Sequence, residues 1–401
     1  MLNRDGTKIV PGRIFADPKP GDSAATFQLD AQGLRAEEEQ ELQTVPAPRL
    51  VDPRMDLADV LGSDAVKAIE ASGKIAFHAV GDTGDVNPKT APDQTEVIDS
   101  MANDLTGAGP APSFLFHLGD VVYFFGERSK YYAQFYSPFR AYDRPVFAIP
   151  GNHDSVVVNR QHKEQSTEPS LSGFLANFCT DLPEVAVDAA GVKRETMDQP
   201  GVYFTLDAPF VSVIGLFTNA LEGPGIISPR GLAGTEAAQR VGTAQLEFLK
   251  RELARLKPAR ENKERAVIVA CHHPPATLDE THGGGLNLTL DLDEAYAEAG
   301  LVPDAVLSGH AHLYEHWVRK INGREVPYLI AGSGGYGLGG VKKGLQFPLQ
   351  WGDFEMKQKP IRDYGYLLLT VDTTTDPKEL TISFKRPADP AHGEDFSVSL
   401  D

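Results

Sequence analysis

The sequence has few cysteines, no long apolar run and no excess of basic residues. Its 401 residues include two cysteines, Cys179 and Cys271, so no disulfide framework holds this fold together. Apolar stretches such as residues 210–217 are interrupted well before membrane-spanning length, and we expect no membrane insertion. The first six residues lack the apolar core of a secretory signal. We therefore expect a cytoplasmic protein, or an exported one whose signal has been removed.

Basic residues are too few to balance the acidic ones. Lys and Arg number 38 against 56 Asp and Glu, which gives a formal net charge of -18. This charge argues against unspecific binding to DNA, RNA or anionic membranes, whose phosphates would be repelled. It does not exclude a phosphorylated substrate, because metal cations can reverse the local field. A composition of 41% hydrophobic and 23% charged residues is typical of a globular protein with a packed core.

The first 60 residues differ from the rest of the chain. They are rich in Pro, Asp, Glu and Gln and show no sustained period. This predicts an N-terminal arm over residues 1–60, extended or partly disordered, and one domain over residues 61–401. Within that domain, residues 155–200 are polar and aperiodic. We interpret them as an inserted segment that forms part of a substrate-binding rim.

The apolar pattern from Lys74 onward predicts alternating strands and helices. Buried strands are predicted by five short apolar runs, over residues 74–80, 113–118, 145–149, 266–270 and 304–307. Helices are predicted over residues 94–105, 129–139 and 243–257. Antiparallel hairpins are predicted by two later pairs of segments, 313–320 with 325–331, which flank the turn residues Asn322-Gly323, and 364–371 with 379–385. An α/β fold class follows from this order.

Five short motifs rich in metal-binding side chains occur in a fixed order. They are Gly81-Asp82-Thr83-Gly84, Gly119-Asp120-Val121-Val122-Tyr123, Gly151-Asn152-His153-Asp154, Val269-Ala270-Cys271-His272 and Gly309-His310-Ala311-His312. Each comes at the end of a predicted strand, and an open α/β sheet gathers its functional groups at the carboxyl ends of its strands. A single Asp or Asn in such a place is more often a turn former or a helix cap. The joint occurrence predicts a site for two adjacent metal ions.

These motifs resemble those of the calcineurin-like metallophosphoesterase superfamily, and within it those of the purple acid phosphatases. That family carries Gly-Asp-x-Gly, Gly-Asp-x-x-Tyr, Gly-Asn-His-Asp/Glu, Val-x-x-His and Gly-His-x-His, and no ligand is missing over residues 74–386. One departure is His316, where the plant and animal members usually have Arg. The resemblance implies a four-layer α/β/β/α sandwich of two mixed sheets, the metallophosphoesterase fold.

The first two motifs favour the purple acid phosphatases within the superfamily. Most members have Asp-x-His in the first motif and use that His as a ligand, whereas this chain has Gly84. Tyr123 stands three residues after Asp120, where the purple enzymes place a tyrosinate on the same metal. A phenolate is a hard anionic donor that favours Fe(III), whereas imidazole suits Mn, Zn or Fe(II). The alternative for Tyr123 is an ordinary aromatic residue packed at the start of a helix.

The resemblance also implies a role for each residue of the motifs. The first metal, iron, would be bound by Asp82, Tyr123 and His312. The second metal, Fe, Mn or Zn, would be bound by Asn152, His272 and His310, with Asp120 bridging the pair. A metal-bound hydroxide would attack phosphorus in line. His153 would act as the general acid that protonates the leaving alcohol, and Asp154 would orient its ring.

Two other histidines and one loop are candidates for a place near the substrate. His273 adjoins His272, and His282 precedes three glycines on the loop that follows. Both are candidate substrate-binding residues. The Gly-rich run over residues 331–337 predicts a flexible loop approaching the metals, because no convincing helix follows it as a nucleotide-binding loop requires.

The resemblance implies a dinuclear metal-dependent hydrolase of small phosphorylated substrates, a purple acid phosphatase-like phosphomonoesterase. The nearest alternative is a phosphodiesterase of the same superfamily that uses Mn or Fe and acts on cyclic nucleotides or other phosphodiesters. A remoter one is a non-catalytic binding protein on the same fold. Such a protein should show eroded ligands or a replaced His153, and the sequence shows neither.

Overall fold

Two mixed β-sheets form the centre of the structure, a computed structural model that describes residues 44–85, 91–107, 109–159, 163–220, 225–232 and 236–400. In chain order the strands are β1 Arg54–Asp56, β2 Lys74–Val80, β3 Pro112–His117, β4 Val146–Ala148, β5 Val158–Asn159, β6 Glu164–Gln165, β7 Phe204–Ala208, β8 Val211–Leu216, β9 Ala266–Cys271, β10 Ala305–Ser308, β11 Tyr314–Ile321, β12 Arg324–Ala331, β13 Leu349–Trp351, β14 Phe354–Met356, β15 Tyr366–Asp372, β16 Glu379–Lys385 and β17 Glu394–Ser399. The α-helices of the described residues are α1 Leu57–Leu61, α2 Ser63–Ser72, α3 Ala91–Asp104, α4 Ser172–Phe178, α5 Glu236–Val241, α6 Ala244–Glu261 and α7 Leu286–Ala299. None of these helices combines the length and the apolar composition that a membrane crossing requires.

The two sheets differ in size, and each contains a set of adjacent parallel strands. The six-stranded sheet has the order β17-β16-β15-β2-β3-β4, and the nine-stranded sheet has the order β1-β7-β8-β9-β10-β12-β11-β14-β13. Strands β2, β3 and β4 are parallel, as are β8, β9, β10 and β12. These strands are apolar along most of their length because both of their faces are covered. Antiparallel strands complete both sheets.

The sheets pack face to face around an apolar layer. Phe77 and Phe116 of one sheet belong to the same buried cluster as Phe204 and Leu307 of the other, and the rings of Phe116 and Phe204 are 6.0 Å apart between centroids. Each such side chain contributes about 1.5–3 kcal/mol by its burial. Helices α3, α6 and α7 contribute to a second cluster with the outer sides of the strands. The predicted four-layer α/β/β/α sandwich is therefore confirmed.

Most predicted elements are observed, but one helix is wrong in type. All five predicted buried strands and both hairpins are present, and α3 and α6 lie where helical periodicity placed them. Residues 129–139 instead form two 3₁₀ turns, Arg128–Lys130 and Pro138–Ala141, on either side of a π-helical turn, Tyr132–Tyr136. Pro138 has no amide hydrogen to donate to a carbonyl in the preceding turn, which disfavours a regular α-helix across this position.

The last part of the predicted N-terminal arm lies within the described residues. Residues 54–61 form β1 and α1, and β1 pairs with β7 at the edge of the nine-stranded sheet, so this part of the predicted arm belongs to the fold. Residues 1–43 lie outside the described residues. The insertion predicted over 155–200 contains the β5–β6 hairpin and α4, and its Phe174 and Phe178 are buried in the core. Whether it forms a substrate-binding rim stays a prediction.

A buried ion cluster holds the sheet at the amino end of β10. Asp304 is fully buried, and its carboxylate accepts two hydrogen bonds of 2.9 Å from Arg260 Nε and one of 2.7 Å from the backbone N–H of Val267. Arg324 also donates to it. Arg260 further donates to the carbonyl of Leu400 at 2.8 Å. The cluster therefore ties α6, β9 and the C-terminal segment together.

Replacing Asp304 with Asn should destabilise the fold strongly. The variant keeps the shape of the side chain but leaves the guanidinium of Arg260 buried without a counter-charge, so we expect a loss of about 3–5 kcal/mol of unfolding free energy. Denaturant unfolding measures this. The control is Asp64→Asn, because Asp64 pairs with Lys67 in full contact with solvent and the change should leave the midpoint unmoved. Equal midpoints for the two variants would contradict the assigned role.

Candidate metal centre

The five motifs meet at one place, where the carboxyl ends of β2, β3 and β4 face those of β9 and β10. Three of the residues there have a left-handed backbone, with φ of 58° at Asp82, 54° at Asp120 and 69° at His310. Such conformations are uncommon for residues other than Gly and cost energy that the surrounding structure must supply. Their concentration in these three motifs is what a functional site leads us to expect.

One set of three donors combines a carboxylate, a phenol and an imidazole. Tyr123 donates its hydroxyl to Asp82 Oδ1 at 3.1 Å, and the Tyr123 oxygen lies 3.4 Å from His312 Nε2. The same nitrogen lies 3.4 Å from Asp82 Oδ1. Burial and the charges of Asp120 and Asp82 raise the pKa of the Tyr123 phenol well above its ordinary value. The phenol therefore ionises only if a cation takes the place of its proton.

A second set of three donors combines an amide with two imidazoles. Asn152 Oδ1 lies 3.1 Å from His272 Nε2 and 2.9 Å from His310 Nδ1. His272 Nδ1 donates to the carbonyl of Leu118 at 2.8 Å, which directs Nε2 into the site, as metal-binding histidines generally require. Burial and neighbouring imidazoles lower the pKa of His310 well below its ordinary value, so this ring is neutral, the form that binds metals.

Asp120 lies between the two sets. Its Oδ1 accepts a hydrogen bond of 2.8 Å from the backbone N–H of His153, and its Oδ2 lies 3.4 Å from His272 Nε2. Oδ2 is buried and has no hydrogen-bond partner among the described residues. Donor atoms of Asp82, Asp120 and His272 all lie within 4.8 Å of one another. A buried carboxylate oxygen without a donor, surrounded by nitrogen and oxygen ligands, fits a divalent or trivalent cation.

The electrostatics of the site also fit a cation. Burial would raise the pKa of Asp120, but the positive charges of His272 and His153 lower it. Burial opposes protonation of His272, yet the carboxylate of Asp120 raises the pKa of its imidazole to about 9. The acidic groups thus draw a proton onto a ring that a metal would otherwise bind, so metal binding should release protons.

Gly84 has no room for a side chain. A Cβ there would lie 2.5 Å from the carbonyl oxygen of Val121, 2.7 Å from Cα of Val122 and 2.8 Å from Oε1 of Gln134. That same Gln134 Oε1 accepts the backbone N–H of Tyr123 at 2.7 Å. The space that a side chain at position 84 would need is therefore filled by the segment that carries Tyr123.

The prediction for Asp154 is wrong in its detail. Its carboxylate does not contact the ring of His153. It accepts backbone N–H groups of Val121, Val122 and Gly151 at 2.9 to 3.3 Å, and so joins the second and third motifs. Burial and the charge of Asp120 raise its pKa to about 7. The ring of His153 is fixed by the carbonyl of Phe124, 2.8 Å from Nδ1.

The structure brings both other candidate histidines to the centre. The ring of His282 lies 4.4 Å from that of His310 between centroids, and 5.2 Å from that of His312. The ring of His273 lies 4.3 Å from that of His310, and its Nδ1 is 2.8 Å from Thr218 Oγ1. His282 is partly exposed, whereas His273 is fully buried, so His282 is the better placed to reach a substrate.

Three residues that shape the centre were missed in the sequence. The carboxylate of Asp279 lies 3.0 Å from Nδ1 of His282. Its position three residues before His282 in the sequence could have indicated this contact. Gln134 forms hydrogen bonds with both the backbone N–H and the carbonyl of Tyr123. It lies in a segment that contains no recognisable motif. Tyr336 stacks on Tyr123, with centroids 3.8 Å apart and planes within 8°. Its place in a Gly-rich run indicated only a loop.

The sequence matches a known protein family. A family model described as calcineurin-like phosphoesterase matches residues 75–314. The chain belongs to this family. No curated protein matches the sequence.

Two solved structures illustrate the likeness in fold. Purple acid phosphatase PPD1 from yellow lupin (Lupinus luteus) seeds is 16% identical, with a TM-score of 0.56 over 81% of this chain and 54% of that one. GAP50, the anchor in the inner membrane complex of Plasmodium, is 13% identical, with a TM-score of 0.53 over 82% of this chain and 89% of that one. The chain thus spans about half the length of the lupin protein. Both likenesses concern the fold alone.

Replacing Gly84 with Ala should destabilise the protein although it adds one methyl group. The new Cβ would overlap the backbone of Val121 and Val122, so we expect a loss of about 1–3 kcal/mol of unfolding free energy. The control is Gly337→Ala, since a Cβ at position 337 would meet nothing within 4 Å. Denaturant unfolding should separate the two variants. If both were as stable as the parent protein, the close approach at Gly84 would be refuted.

The buried carboxyl of Glu315 should make stability depend on pH. It accepts hydrogen bonds from Trp317 Nε1 and from the backbone N–H of Leu278, and burial raises its pKa from 4.5 to about 7. Between these values the folded protein keeps a proton that the unfolded chain loses, so stability falls as the pH rises from 4.5 to 7. One carboxyl contributes about 3 kcal/mol over this range.

The test compares the parent protein with Glu315→Gln, whose amide stays neutral at every pH. We expect the difference in unfolding free energy, parent minus variant, to fall by about 3 kcal/mol between pH 4.5 and 7. Denaturant titrations at several pH values provide it. A difference that stays constant, or grows with pH, would show that Glu315 is ionised in the fold.

Proposed function

We propose that the protein is a dinuclear metal-dependent phosphoester hydrolase that acts on phosphomonoesters, in the manner of the purple acid phosphatases. The observation that carries the proposal is the arrangement of two three-residue donor sets around Asp120, a buried carboxylate with one oxygen left without a hydrogen bond. The shared fold of the lupin purple acid phosphatase supports it.

The chemistry of the donor atoms favours a different metal for each set. Asp82, Tyr123 and His312 would hold the first ion, and the phenolate of Tyr123 favours Fe(III) there. Asn152, His272 and His310 would hold the second, a neutral set that suits Fe, Mn or Zn in the divalent state. When bound, such a metal pair supplies a deprotonated water and neutralises the charge that develops on the phosphate.

His153 would supply the proton that the leaving alcohol needs. His153 Nδ1 donates to the Phe124 carbonyl, so Nε2 is the nitrogen left to deliver a proton to the leaving alcohol. Burial lowers the pKa of this ring while the charge of Asp120 raises it, with a net lowering. Because the pKa is lowered, Nε2 carries its proton only at acidic pH, so we expect His153 to act as a general acid under acidic conditions.

His282 would contact the phosphate. Asp279 accepts from its backbone N–H at 2.7 Å and lies 3.0 Å from its Nδ1, so the ring is held with Nε2 free to meet an oxygen of the substrate. Its partial exposure, 26% of the side chain, gives a substrate access to it. His273 would instead support His310 from within the protein.

The test begins with metal analysis and a substrate panel on the parent protein. We expect two metals per chain, a visible absorption from the Fe(III)–phenolate pair, and faster hydrolysis of phosphomonoesters than of phosphodiesters. A colourless Mn or Zn enzyme would refute the iron assignment alone. Preference for diesters would favour the phosphodiesterase alternative.

Asn152→Ala then probes the second donor set. Removing the amide oxygen shared by His272 and His310 should lower the metal content to about one per chain and reduce kcat by at least about 100-fold, because the metal pair stabilises both attacking and leaving oxygens. The control is Asn103→Ala on the exposed side of α3, which should keep both metals and full activity. Unchanged turnover in Asn152→Ala would overturn the proposed site.

A further inference from the structure

The loop predicted over residues 331–337 approaches the centre, and its segment 332–336 packs against the first motif. The backbone N–H of Gly334 donates to the carbonyl of Gly81 at 3.2 Å, and that of Tyr336 donates to the carbonyl of Asp82 at 3.0 Å. A Cβ on Gly334 would collide with the Gly81 carbonyl, and one on Gly332 with the carbonyl of Ala311. Only glycine permits the two backbones to approach so closely. This approach fixes the position of the Tyr336 backbone.

Tyr336 contacts all three residues of the first donor set. Its backbone N–H donates a hydrogen bond to the backbone carbonyl of Asp82. Its ring lies parallel to that of Tyr123, 3.8 Å away with an angle of 8° between the planes. The edge of the His312 ring meets it at 5.1 Å between centroids and 74° between planes. No contact of this kind reaches Asn152 or His272 among the described residues.

The ring of Tyr336 restrains the phenol of Tyr123, together with the ring of His153, whose centroid is 4.4 Å from that of Tyr123. Gln134 accepts the backbone N–H of Tyr123 and donates to its carbonyl, which fixes the main chain. Rotation of the phenol about its side-chain bonds is limited by neighbouring rings, and the parallel ring of Tyr336 covers its face. The Tyr123 oxygen must stay within reach of Asp82 Oδ1 and His312 Nε2 to act as a ligand.

We propose that Tyr336 is a positioning residue for the first metal, which holds the phenol of Tyr123 in the plane that metal binding requires. The inference rests on the proposed function for the existence of two metal sites. It depends on the aromatic ring and not on the Tyr336 hydroxyl, since all three contacts are made by its ring or its backbone. Removing the ring should weaken one metal site and spare the other.

Calorimetric titration of the metal-free protein with Zn²⁺ tests this, without any assay of activity. The parent protein should show two binding events. In Tyr336→Leu we expect one event to weaken by about 10- to 100-fold, the usual effect of losing a group that orients a ligand, and the other to stay unchanged. Tyr336→Phe should retain both affinities. Tyr132→Leu, at a tyrosine that is 44% exposed, is the matched control and should behave as the parent.

Thermal unfolding of each metal-free variant separates positioning from general damage. If Tyr336→Leu is unstable, Tyr336→Met repeats the measurement with another flexible side chain. Two unchanged binding events, an equal loss at both sites, or a Tyr336→Phe protein as weak as Tyr336→Leu would each overturn the inference. A parent protein that binds no Zn²⁺ would overturn the metal centre itself, so the two failures are distinguishable.

Discussion

Two carboxylates buried where the sheets meet impose the condition on which the rest of the structure depends. Asp82 and Asp120 are 0% and 1% exposed, and removing an ionised carboxylate from water costs several kcal/mol unless it is paired. The compensation comes from across the fold: the backbone N–H of His310 donates to Asp82 and that of His153 to Asp120, and two imidazoles lie 3.4 Å away. Because these groups belong to both sheets, the carboxylates are stabilised only after the sheets have packed together.

The close approach of the strand ends also requires strained backbone conformations, which cost free energy. Asp82, Asp120 and His310 adopt left-handed conformations, and a Cβ on Gly119 or Gly309 would collide with the ring of His272 or the carboxylate of Asp82. Strain of this kind persists only when surrounding contacts fix the chain. The apolar layer between the sheets, with the ion cluster at the far end of β10, is the stable frame that supplies them.

Local patterns were sufficient for most of the regular elements and for the positions of the candidate donor residues at the strand ends. Apolar runs located the parallel strands because both faces of those strands are buried, and the Asn322-Gly323 turn located the hairpin of β11 and β12 because its backbone conformation suits few other residues. Two predictions failed, one for a helix and one for the contacts of a side chain. The segment around Pro138 is helical but not α-helical. Asp154, which the family resemblance predicted to orient the ring of His153, instead accepts backbone N–H groups of the second motif and of its own motif.

The sequence by itself determined which side chains could bind metal and that each would stand at the end of a strand. Only the tertiary structure decided how those ends combine. It placed Tyr123 with Asp82 and His312, filled the space at Gly84 with the backbone of Val121 and Val122, and laid Tyr336 on the phenol. The reason is physical: side-chain type and strand periodicity are local properties, whereas distances of 3 to 4 Å between groups more than 40 residues apart exist only after two sheets have packed and their loops have met.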